Sequence, residues 1–326
     1  MNADKKILFI SNLKNPFVVT DMGILKKHYE VDFFQYGKPS DRWKLLKVLP
    51  KYDINISWFI LGYSYIAVKA SKLFSKKSVL MAGGWDVVTL PEINYGYTLD
   101  PKKRRRLKSL LTKADMVTSV SNNLKQKILE FEPTCEVTTI HLGLDYDKFH
   151  PSGAKRDVVL TVASRIDHET IKLKGLDTFV KSAELLPDFE FFIVGKYDKK
   201  NPDFNKLKDA SPENVKFTNY VEGDNLIEHY QRARVYAQLS AQEAFGSALA
   251  EAMLCGCVPV VTKRGSLPEV VGNTGFFVRY HDLEKTVEAI KNASNSDFGK
   301  KARDRIKNNF NLEKRETKVL EIIENL

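Results

Sequence analysis

Two glutamates, Glu243 and Glu251, flank a turn that could hold an anion. A strand is predicted to end at Ser240 and a helix to begin near Gly246 or Ser247, which places the helix N-terminus at the carboxyl edge of a sheet. The helix dipole and unpaired amides suit such a terminus to a diphosphate, and Gly246 lets the backbone approach it closely. The predicted amide donors are those of Phe245, Gly246 and Ser247.

The spacing of the two carboxylates suits a sugar nucleotide. Glu251 lies about five residues into the helix, or roughly 7.5 Å along its axis, whereas Glu243 precedes it. One carboxylate can accept hydrogen bonds from a transferred sugar and the other from a ribose. A paired-carboxylate glycosidase would also use two acids, but its substrate would not need the phosphate-binding turn between them. The other alternative is two solvated glutamates.

Length and composition indicate a protein with two α/β domains. The chain has 326 residues, more than one hydrophobic core usually serves, and domains of about 150 residues each are expected. No stretch approaches the roughly 18 to 20 apolar residues of a membrane-spanning helix. Residues 1–10 lack a signal-peptide pattern, and Cys255-x-Cys257 is too short a spacing for a relaxed disulfide or a zinc pair. We therefore expect a cytoplasmic protein, either free or associated with a membrane.

Short apolar runs alternate with helix-like stretches, and the pattern restarts after a polar connection near residues 143–153. This alternation of strand-like and helix-like segments predicts two doubly wound parallel sheets with one ligand site between the lobes. The predicted domains are an acceptor-binding domain at 1–147, a donor-binding domain at 148–308 and a closing helix at 309–326 that packs on one or both lobes.

The segment around the two glutamates resembles the signature of family 4 retaining glycosyltransferases, the group 1 glycosyl transferases. The resemblance lies in Glu243-x7-Glu251 within EAFGSALAEAM, followed by CGCVPVV and GSLPEVVG. It extends from Ala114 to the C-terminus, whereas the first hundred residues match only in pattern. The family has the GT-B architecture, two doubly wound Rossmann-like domains facing across a cleft, and this α/β fold is what the resemblance implies here.

The resemblance also implies cations for the donor diphosphate, namely Arg165 and Lys174. Such cations would stabilise the charge that the leaving diphosphate gains as the glycosidic bond breaks. The gap between the two residues is longer than the family pattern, so Lys172 could replace Lys174. An exposed basic loop is the alternative.

Four further donor contacts follow from the family pattern. Gly195 and Val221 each lie at a strand end that would border the base and ribose, and Ser266 and Leu267 would lie near the diphosphate or the sugar.

The first lobe departs from the family, because it lacks the Gly-Gly loop after the first strand and the His after the fourth. Gly83-Gly84-Trp85-Asp86 resembles a Gly-Gly-Asp variant, which predicts Asp86 as a polar contact near the reacting carbon or the acceptor hydroxyl. Trp85 is either a core residue or a sugar-stacking face. Retaining enzymes of this fold generally lack an obvious nucleophile, and the implied mechanism is same-face attack in which the departing phosphate takes the acceptor proton.

The positive charge is concentrated in the first lobe. Residues 1–150 contain 24 Lys and Arg against 15 Asp and Glu, and the remainder contains 27 against 26. One predicted helix carries a basic run, and its buried side would be formed by Leu107, Leu110 and Leu111. The basic run would face an anionic membrane. The alternative is that it forms an ordinary solvated surface. The run has no interleaved aromatics, so nucleic acid is not expected. Its members are Lys102, Lys103, Arg104, Arg105, Arg106 and Lys108.

The predicted function is a retaining hexosyltransferase-type enzyme (EC 2.4) of polysaccharide or glycolipid biosynthesis. It would use a UDP- or GDP-sugar and a glycan or lipid-linked acceptor. We expect no cofactor and no essential metal, because no Asp-x-Asp cluster is placed to ligate Mg²⁺ or Mn²⁺. The alternative is a non-catalytic sugar-nucleotide-binding or membrane-docking protein with the same fold. An epimerase or a phosphorylase fits less well.

Overall fold

The computed structural model describes residues 5–326, which form two compact units. Unit 1 contains the residues through Gly143 together with Leu312–Leu326, and unit 2 contains Leu144–Asn311. Within the described residues, no helix combines the length and the apolar character needed to cross a membrane.

Unit 1 is built on a six-stranded parallel sheet. Its strands are β1 (Lys6–Ser11), β2 (Glu30–Gln35), β3 (Ile54–Trp58), β4 (Lys77–Ala82), β5 (Met116–Ser119) and β6 (Val137–Thr139). Their spatial order is β2-β1-β3-β4-β5-β6. Its helices are α1 (Pro16–Lys26), α2 (Asp41–Val48), α3 (Gly62–Leu73), α4 (Pro101–Leu111) and α5 (Asn122–Phe131). All five residues of β3 are buried, as expected for a parallel strand covered on both faces.

Unit 2 is built on a second six-stranded parallel sheet. Its strands are β7 (Arg156–Arg165), β8 (Glu190–Lys196), β9 (Val215–Thr218), β10 (Ala233–Gln238), β11 (Val258–Thr262) and β12 (Phe276–Val278). Their spatial order is β12-β11-β10-β7-β8-β9. Its helices are α6 (His168–Lys174), α7 (Leu176–Glu184), α8 (Pro202–Asp209), α9 (Asp224–Arg232), α10 (Ser247–Leu254), α11 (Leu267–Val271), α12 (Leu283–Ser294) and α13 (Phe298–Asn309). The prediction of two doubly wound α/β lobes is thus confirmed.

The last helix, α14 (Leu312–Glu324), belongs to unit 1 and packs against α1. Arg315 Nε lies 2.5 Å from Asp21 Oδ1, and its Nη2 donates to Oδ2 at 2.6 Å. Arg315 also donates to the carbonyls of Ile140 and His141, and Trp58 Nε1 donates to Asp21 Oδ2 at 2.6 Å. Because Arg315 and Asp21 are both buried, this network holds α14 in the core of unit 1.

Candidate functional site

Four adjacent strands of unit 2, β12, β11, β10 and β7, direct their carboxyl ends to one edge of the sheet. The chain that follows β10 carries Glu243, and the chain that follows β11 carries Ser266. Lys174 ends the helix that follows β7. Ligands of open α/β sheets bind at such an edge, so the fold gathers these predicted site residues where a ligand would bind.

The helix that was predicted after Glu243 begins at Ser247, where α10 starts. Gly246 precedes it with φ 91°, in the left-handed region that favours glycine. The strand before it ends at Gln238, two residues earlier than predicted. The chain leaves the ladder there because Ala241 N pairs with Leu173 O at 2.8 Å, outside the sheet. Phe245 is buried and meets Phe310 edge-to-face, so its side chain anchors the turn.

The carboxylate of Glu243 is the centre of a polar cluster. Lys174 Nζ lies 2.5 Å from Glu243 Oε1, and both Gln238 Nε2 and Ser240 Oγ donate to the same oxygen at 2.8 Å. Gln238 and Ser240 are themselves buried. The hydrogen bonds described for this carboxylate all end on Oε1, which orients Oε2 as an acceptor for another group.

Lys174, rather than Lys172, reaches Glu243. Gly175 ends α6 with φ 64°, and a Cβ there would overlap the carbonyl oxygen of Leu239. The C-terminal end of α6 therefore packs directly against the residue that follows β10. Lys172 Nζ instead pairs with Asp177 Oδ2 at 3.1 Å.

The loop after β11 is fastened to the backbone of Glu243. Ser266 donates to Glu243 O from its backbone N at 3.0 Å and from Oγ at 3.3 Å. Gly265 has φ 57°, and a Cβ there would overlap the same carbonyl oxygen. Leu267 is fully buried. Ser266 therefore positions Glu243, and Leu267 packs beneath the loop.

Glu251 lies on α10 and accepts a hydrogen bond from Tyr230 OH at 2.9 Å. Desolvation raises the pKa of Glu251 to about 7, against the hydrogen bond from Tyr230 and the charge of Lys148, which lower it. Sequence reasoning missed Tyr230, because its approach to Glu251 depends on how α9 packs on α10. This carboxyl can therefore change its charge near neutral pH.

Arg165 ends β7, and 60% of its side chain is exposed. Its Nε lies 2.5 Å from Asp167 Oδ2, and Nη2 lies 3.9 Å from Glu169 Oε1. The ion pairs described for Arg165 thus involve the first residues of α6 and its cap, and none involves Glu243.

Gly195 and Val221 lie farther along the same sheet. Gly195 belongs to β8, where a Cβ would overlap the carbonyl oxygen of Ala163. Val221 follows β9 and is partly exposed. The structure explains Gly195 by the close approach of two strands, and a nucleotide contact at either position stays a prediction.

Asp86 lies in unit 1, in the turn after β4, and is fully buried. Its carboxylate accepts hydrogen bonds from the backbone amides of Ile60 at 2.7 Å, Gly84 at 2.7 Å and Gly83 at 3.1 Å. Burial raises the pKa of Asp86, and these amides oppose that rise. Asp86 therefore fastens its own turn to the end of β3, and the predicted substrate contact stays a prediction.

The basic run forms most of α4, which Asp100 caps by accepting from Lys102 N at 2.8 Å. The prediction that three leucines form the buried side of this helix is confirmed: they are Leu107, Leu110 and Leu111. Three of the cations lie over aromatic rings. These pairs are Lys103 with Tyr97, Arg104 with Phe131, and Arg106 with Tyr65.

Across residues 5–326, no group of three or more His, Cys, Asp or Glu side chains is arranged to hold a metal ion. The cysteines at 135, 255 and 257 are buried free thiols. Loss of solvation raises the pKa of Cys255 to about 12, and the pKa of Cys257 is raised by the same cause. These thiols pack in the interior.

Comparison with known proteins identifies the family. The model of the family "Glycosyl transferases group 1" matches residues 146–312. The chain is 30% identical over 169 residues to D-inositol 3-phosphate glycosyltransferase of Mycobacteroides abscessus, covering 47% of this chain and 38% of that protein. It is 24% identical to N-acetyl-alpha-D-glucosaminyl L-malate synthase of Bacillus anthracis, covering 66% and 61%. The chain thus spans less than two thirds of the length of these relatives.

The fold also matches solved structures. Alr3699/HepE of Anabaena, in a crystal structure with UDP, superposes with a TM-score of 0.82 at 17% identity, covering 98% of this chain and all of that one. This match confirms the predicted GT-B fold. Together with the family model, which matches half of the chain, it supports one conclusion: the chain belongs to the group 1 glycosyl transferases.

Proposed function

We propose that the protein transfers a sugar from a nucleoside-diphosphate sugar to a glycan or lipid-linked acceptor, with retention of anomeric configuration. The observation that carries this proposal is the Lys174–Glu243 pair at the start of α10. A helix N-terminus and an ammonium suit the two phosphates, and an oriented carboxylate beside them suits the sugar hydroxyls.

Each group of the donor has a partner of matching chemistry in this proposal. The diphosphate lies at the amides before Ser247 and meets Lys174, whose ammonium has three N–H donors and spends one on Glu243. Oε2 of Glu243 accepts from a hydroxyl of the transferred sugar. Glu251, when ionised, accepts from the ribose hydroxyls. Arg165 turns from its acidic neighbours to the departing phosphate.

The reaction is a same-face substitution. The acceptor hydroxyl oxygen forms a bond to the anomeric carbon while the bond from that carbon to the diphosphate oxygen breaks. The departing phosphate oxygen takes the acceptor proton, so no protein base is required. Glu243 is poorly suited to act as a nucleophile. Its carboxylate already pairs with the ammonium of Lys174 and accepts hydrogen bonds from two neutral side chains. Lys174 and Arg165 supply positive charge that a divalent metal supplies in other transferases.

UDP is the first donor to test, because the solved Anabaena relative contains UDP, and GDP is the second. The experiment is a thermal-shift screen with UDP, GDP, ADP, CMP and their sugars, followed by product analysis. A ligand of the folded state raises the melting temperature. We expect one sugar nucleotide to do so, to be hydrolysed slowly or transferred in the presence of EDTA, and to give a product whose anomeric configuration matches the donor.

The control for the site is the pair Lys174→Met and Lys172→Met, since only Lys174 contacts Glu243. Lys174→Met should lose turnover and Lys172→Met should retain it. Binding of a sugar nucleotide with no hydrolysis and no transfer would favour the non-catalytic alternative, which the departures from the family in the first lobe support. The absence of any stabilising nucleotide would overturn the donor assignment.

We further propose that α4 faces an anionic membrane surface beside a lipid-linked acceptor. Its leucines are buried, so its cations point outward, and six of them lie within residues 102–108. Clustered cations contribute about 1 kcal/mol each at an anionic surface. Vesicle binding that weakens as salt concentration increases tests this proposal.

A further inference from the structure

The carboxyl edge of the unit 1 sheet carries a row of aromatic side chains. Phe17 lies in the helix after β1, Phe59 follows β3, and Trp85 follows β4. The ring centroids of Phe17 and Phe59 are 6.0 Å apart. The ring of Phe59 packs so closely on Gly83 that a Cβ there would overlap it. The row therefore continues without a gap from α1 to the turn that carries Trp85.

Phe59 has φ 64°, a conformation that bulky residues rarely adopt. Its backbone is held there by three hydrogen bonds: Phe59 N donates to Met81 O at 2.9 Å, and Phe59 O accepts from Ser64 Oγ at 3.0 Å and from Leu61 N at 3.1 Å. The surroundings thus maintain an unfavourable backbone in order to place this ring at the sheet edge.

Trp85 is the most exposed ring of the row, with 41% of the residue accessible to solvent. Its turn is nevertheless rigid. Asp86 accepts from the amides of Gly83 and Gly84 on one side, and Tyr97 N donates to Trp85 O at 2.8 Å on the other. An aromatic side chain that is already fixed loses little conformational entropy when it binds a ligand.

A cation contacts the ring that packs beside Trp85. The ring centroids of Trp85 and Tyr97 are 5.5 Å apart, with 55° between the planes. Lys103 Nζ lies 4.9 Å from the Tyr97 centroid. A flat apolar face and an ammonium are therefore linked through one aromatic ring, Tyr97, at the edge of a doubly wound sheet, where ligands of such sheets bind.

We propose that Trp85 is the stacking surface of an acceptor site, and that the acceptor is a saccharide with an anionic group. The C–H face of a pyranose ring lies on Trp85, and a carboxylate or phosphate on the sugar pairs with Lys103. This inference rests on the proposed function, since it names the acceptor class for the same reaction. A ring with an apolar face and a charged substituent matches both features, whereas a lipid chain matches only the first.

The test measures saccharide binding by isothermal titration and saturation-transfer NMR. The probes are methyl glucoside, methyl glucuronide and glucose 6-phosphate. We expect the charged probes to bind and the neutral one to bind more weakly, and the stronger of the two charged probes identifies the anion. Trp85→Ala should weaken binding about tenfold. Trp85→Phe should restore part of it, and Lys103→Gln should remove the preference for the charged probes.

Trp43 offers a matched control, because it lies on α2 of the same unit and is 60% exposed. Trp43→Ala should leave saccharide binding unchanged. Melting temperatures of all variants check folding, and UDP-glucose binding to Trp85→Ala is measured separately. In the unaltered protein, UDP-glucose binding with no saccharide binding would overturn this inference alone. Absence of UDP-glucose binding in the unaltered protein would count against the donor assignment instead.

Two other results would also overturn the inference. One is equal saccharide binding by Trp85→Ala and the unaltered protein. The other is a Trp85→Ala protein that keeps saccharide binding but no longer binds vesicles of phosphatidylglycerol, since the ring would then belong to a membrane contact.

Discussion

Lys174 Nζ lies 2.5 Å from Oε1 of Glu243, and only 19% and 13% of the two side chains are exposed. Each charge thus has its main compensation in the other. In the proposed mechanism this pair is also the link between the phosphate site and the sugar site.

Replacing Lys174 by Met should lower kcat for sugar transfer by about a hundredfold to a thousandfold, the usual effect of removing one preorganised donor to developing charge. Steady-state kinetics with a sugar nucleotide checks this. The variant should also lose about 1–3 kcal/mol of stability, because the largely buried carboxylate of Glu243 loses the hydrogen-bonded ammonium of Lys174. Equal kcat for Lys174→Met and Lys172→Met would contradict the assignment.

Glu251 should make stability depend on pH. Its pKa is raised to about 7 in the folded protein from an ordinary value of 4.5, so the folded state holds a proton that the unfolded state releases between these values. The free energy of unfolding should therefore fall as pH rises from 4.5 to about 7, by up to roughly 3 kcal/mol from this group. Urea denaturation at pH 5.5 and pH 8 measures the part of this change that lies above pH 5.5, roughly 2 kcal/mol. Glu251→Gln should remove this contribution and be the more stable protein at pH 8.

The same carboxyl should control nucleotide affinity. Only ionised Glu251 can accept hydrogen bonds from both ribose hydroxyls, so KM for the donor should fall as pH rises from 6 to 8. Glu251→Gln should have a higher KM with a flatter pH profile. A profile that Glu251→Gln leaves unchanged would assign the titration to another group.

Gly175→Ala should destabilise the protein more than Gly153→Ala. The two glycines have φ of 64° and 66°, but a Cβ at Gly175 overlaps Leu239 whereas a Cβ at Gly153 has open space. The backbone strain is thus matched, and the difference measures the close approach of α6 to β10. We expect it to be about 1–3 kcal/mol in urea denaturation, with a loss of turnover because Lys174 moves. Equal stability of the two variants would show that the approach relaxes without cost.

Arg315→Met should destabilise the chain by about 3–5 kcal/mol, because it leaves the buried carboxylate of Asp21 without its ion-pair partner. Lys318→Met is the control on the same helix: its pair with Glu321 is exposed and should contribute less than about 1 kcal/mol. Chemical denaturation compares the two. Similar values for both variants would mean that solvent compensates Asp21.

Neutralising Lys102, Arg105 and Arg106 together should weaken binding to phosphatidylglycerol vesicles by roughly a hundredfold at low salt. The control neutralises three exposed cations of unit 2, Lys181, Lys208 and Lys291. Vesicle sedimentation measures both. A similar loss in both proteins would indicate that net charge, and not α4, is responsible.

The sequence predicted the elements of the candidate site in unit 2 better than the hydrogen bonds within it. The start of α10 at Ser247 followed from the glycine and the change of hydrophobic period, which are local signals. The donors to Glu243 were missed, although Gln238 and Ser240 are two residues apart, a spacing typical of side chains on one face of a strand. Tyr230 was missed for a stronger reason, since only the packing of α9 on α10 brings it to Glu251.

In unit 1 the sequence predicted the sheet and the buried side of α4, but it left Trp85 undecided and gave Asp86 a substrate contact. Whether a single Trp at the end of a strand is buried depends on whether the chain that follows it folds over the ring. Here Tyr97 lies beside Trp85 and does not enclose it. The hydrogen bonds from backbone amides to Asp86 likewise depend on where β3 ends, because Ile60 lies 26 residues before Asp86 in sequence.

The Arg315–Asp21 network also bears on how the chain folds during synthesis. Unit 1 is discontinuous in sequence, with all of Leu144–Asn311 inserted before α14. The partner of Asp21 is therefore translated 294 residues after it, and all of unit 2 is translated before the last helix of unit 1. Domains generally fold as units in the order of synthesis. Here unit 1 begins first, but its fold can be completed only after α14 has been translated.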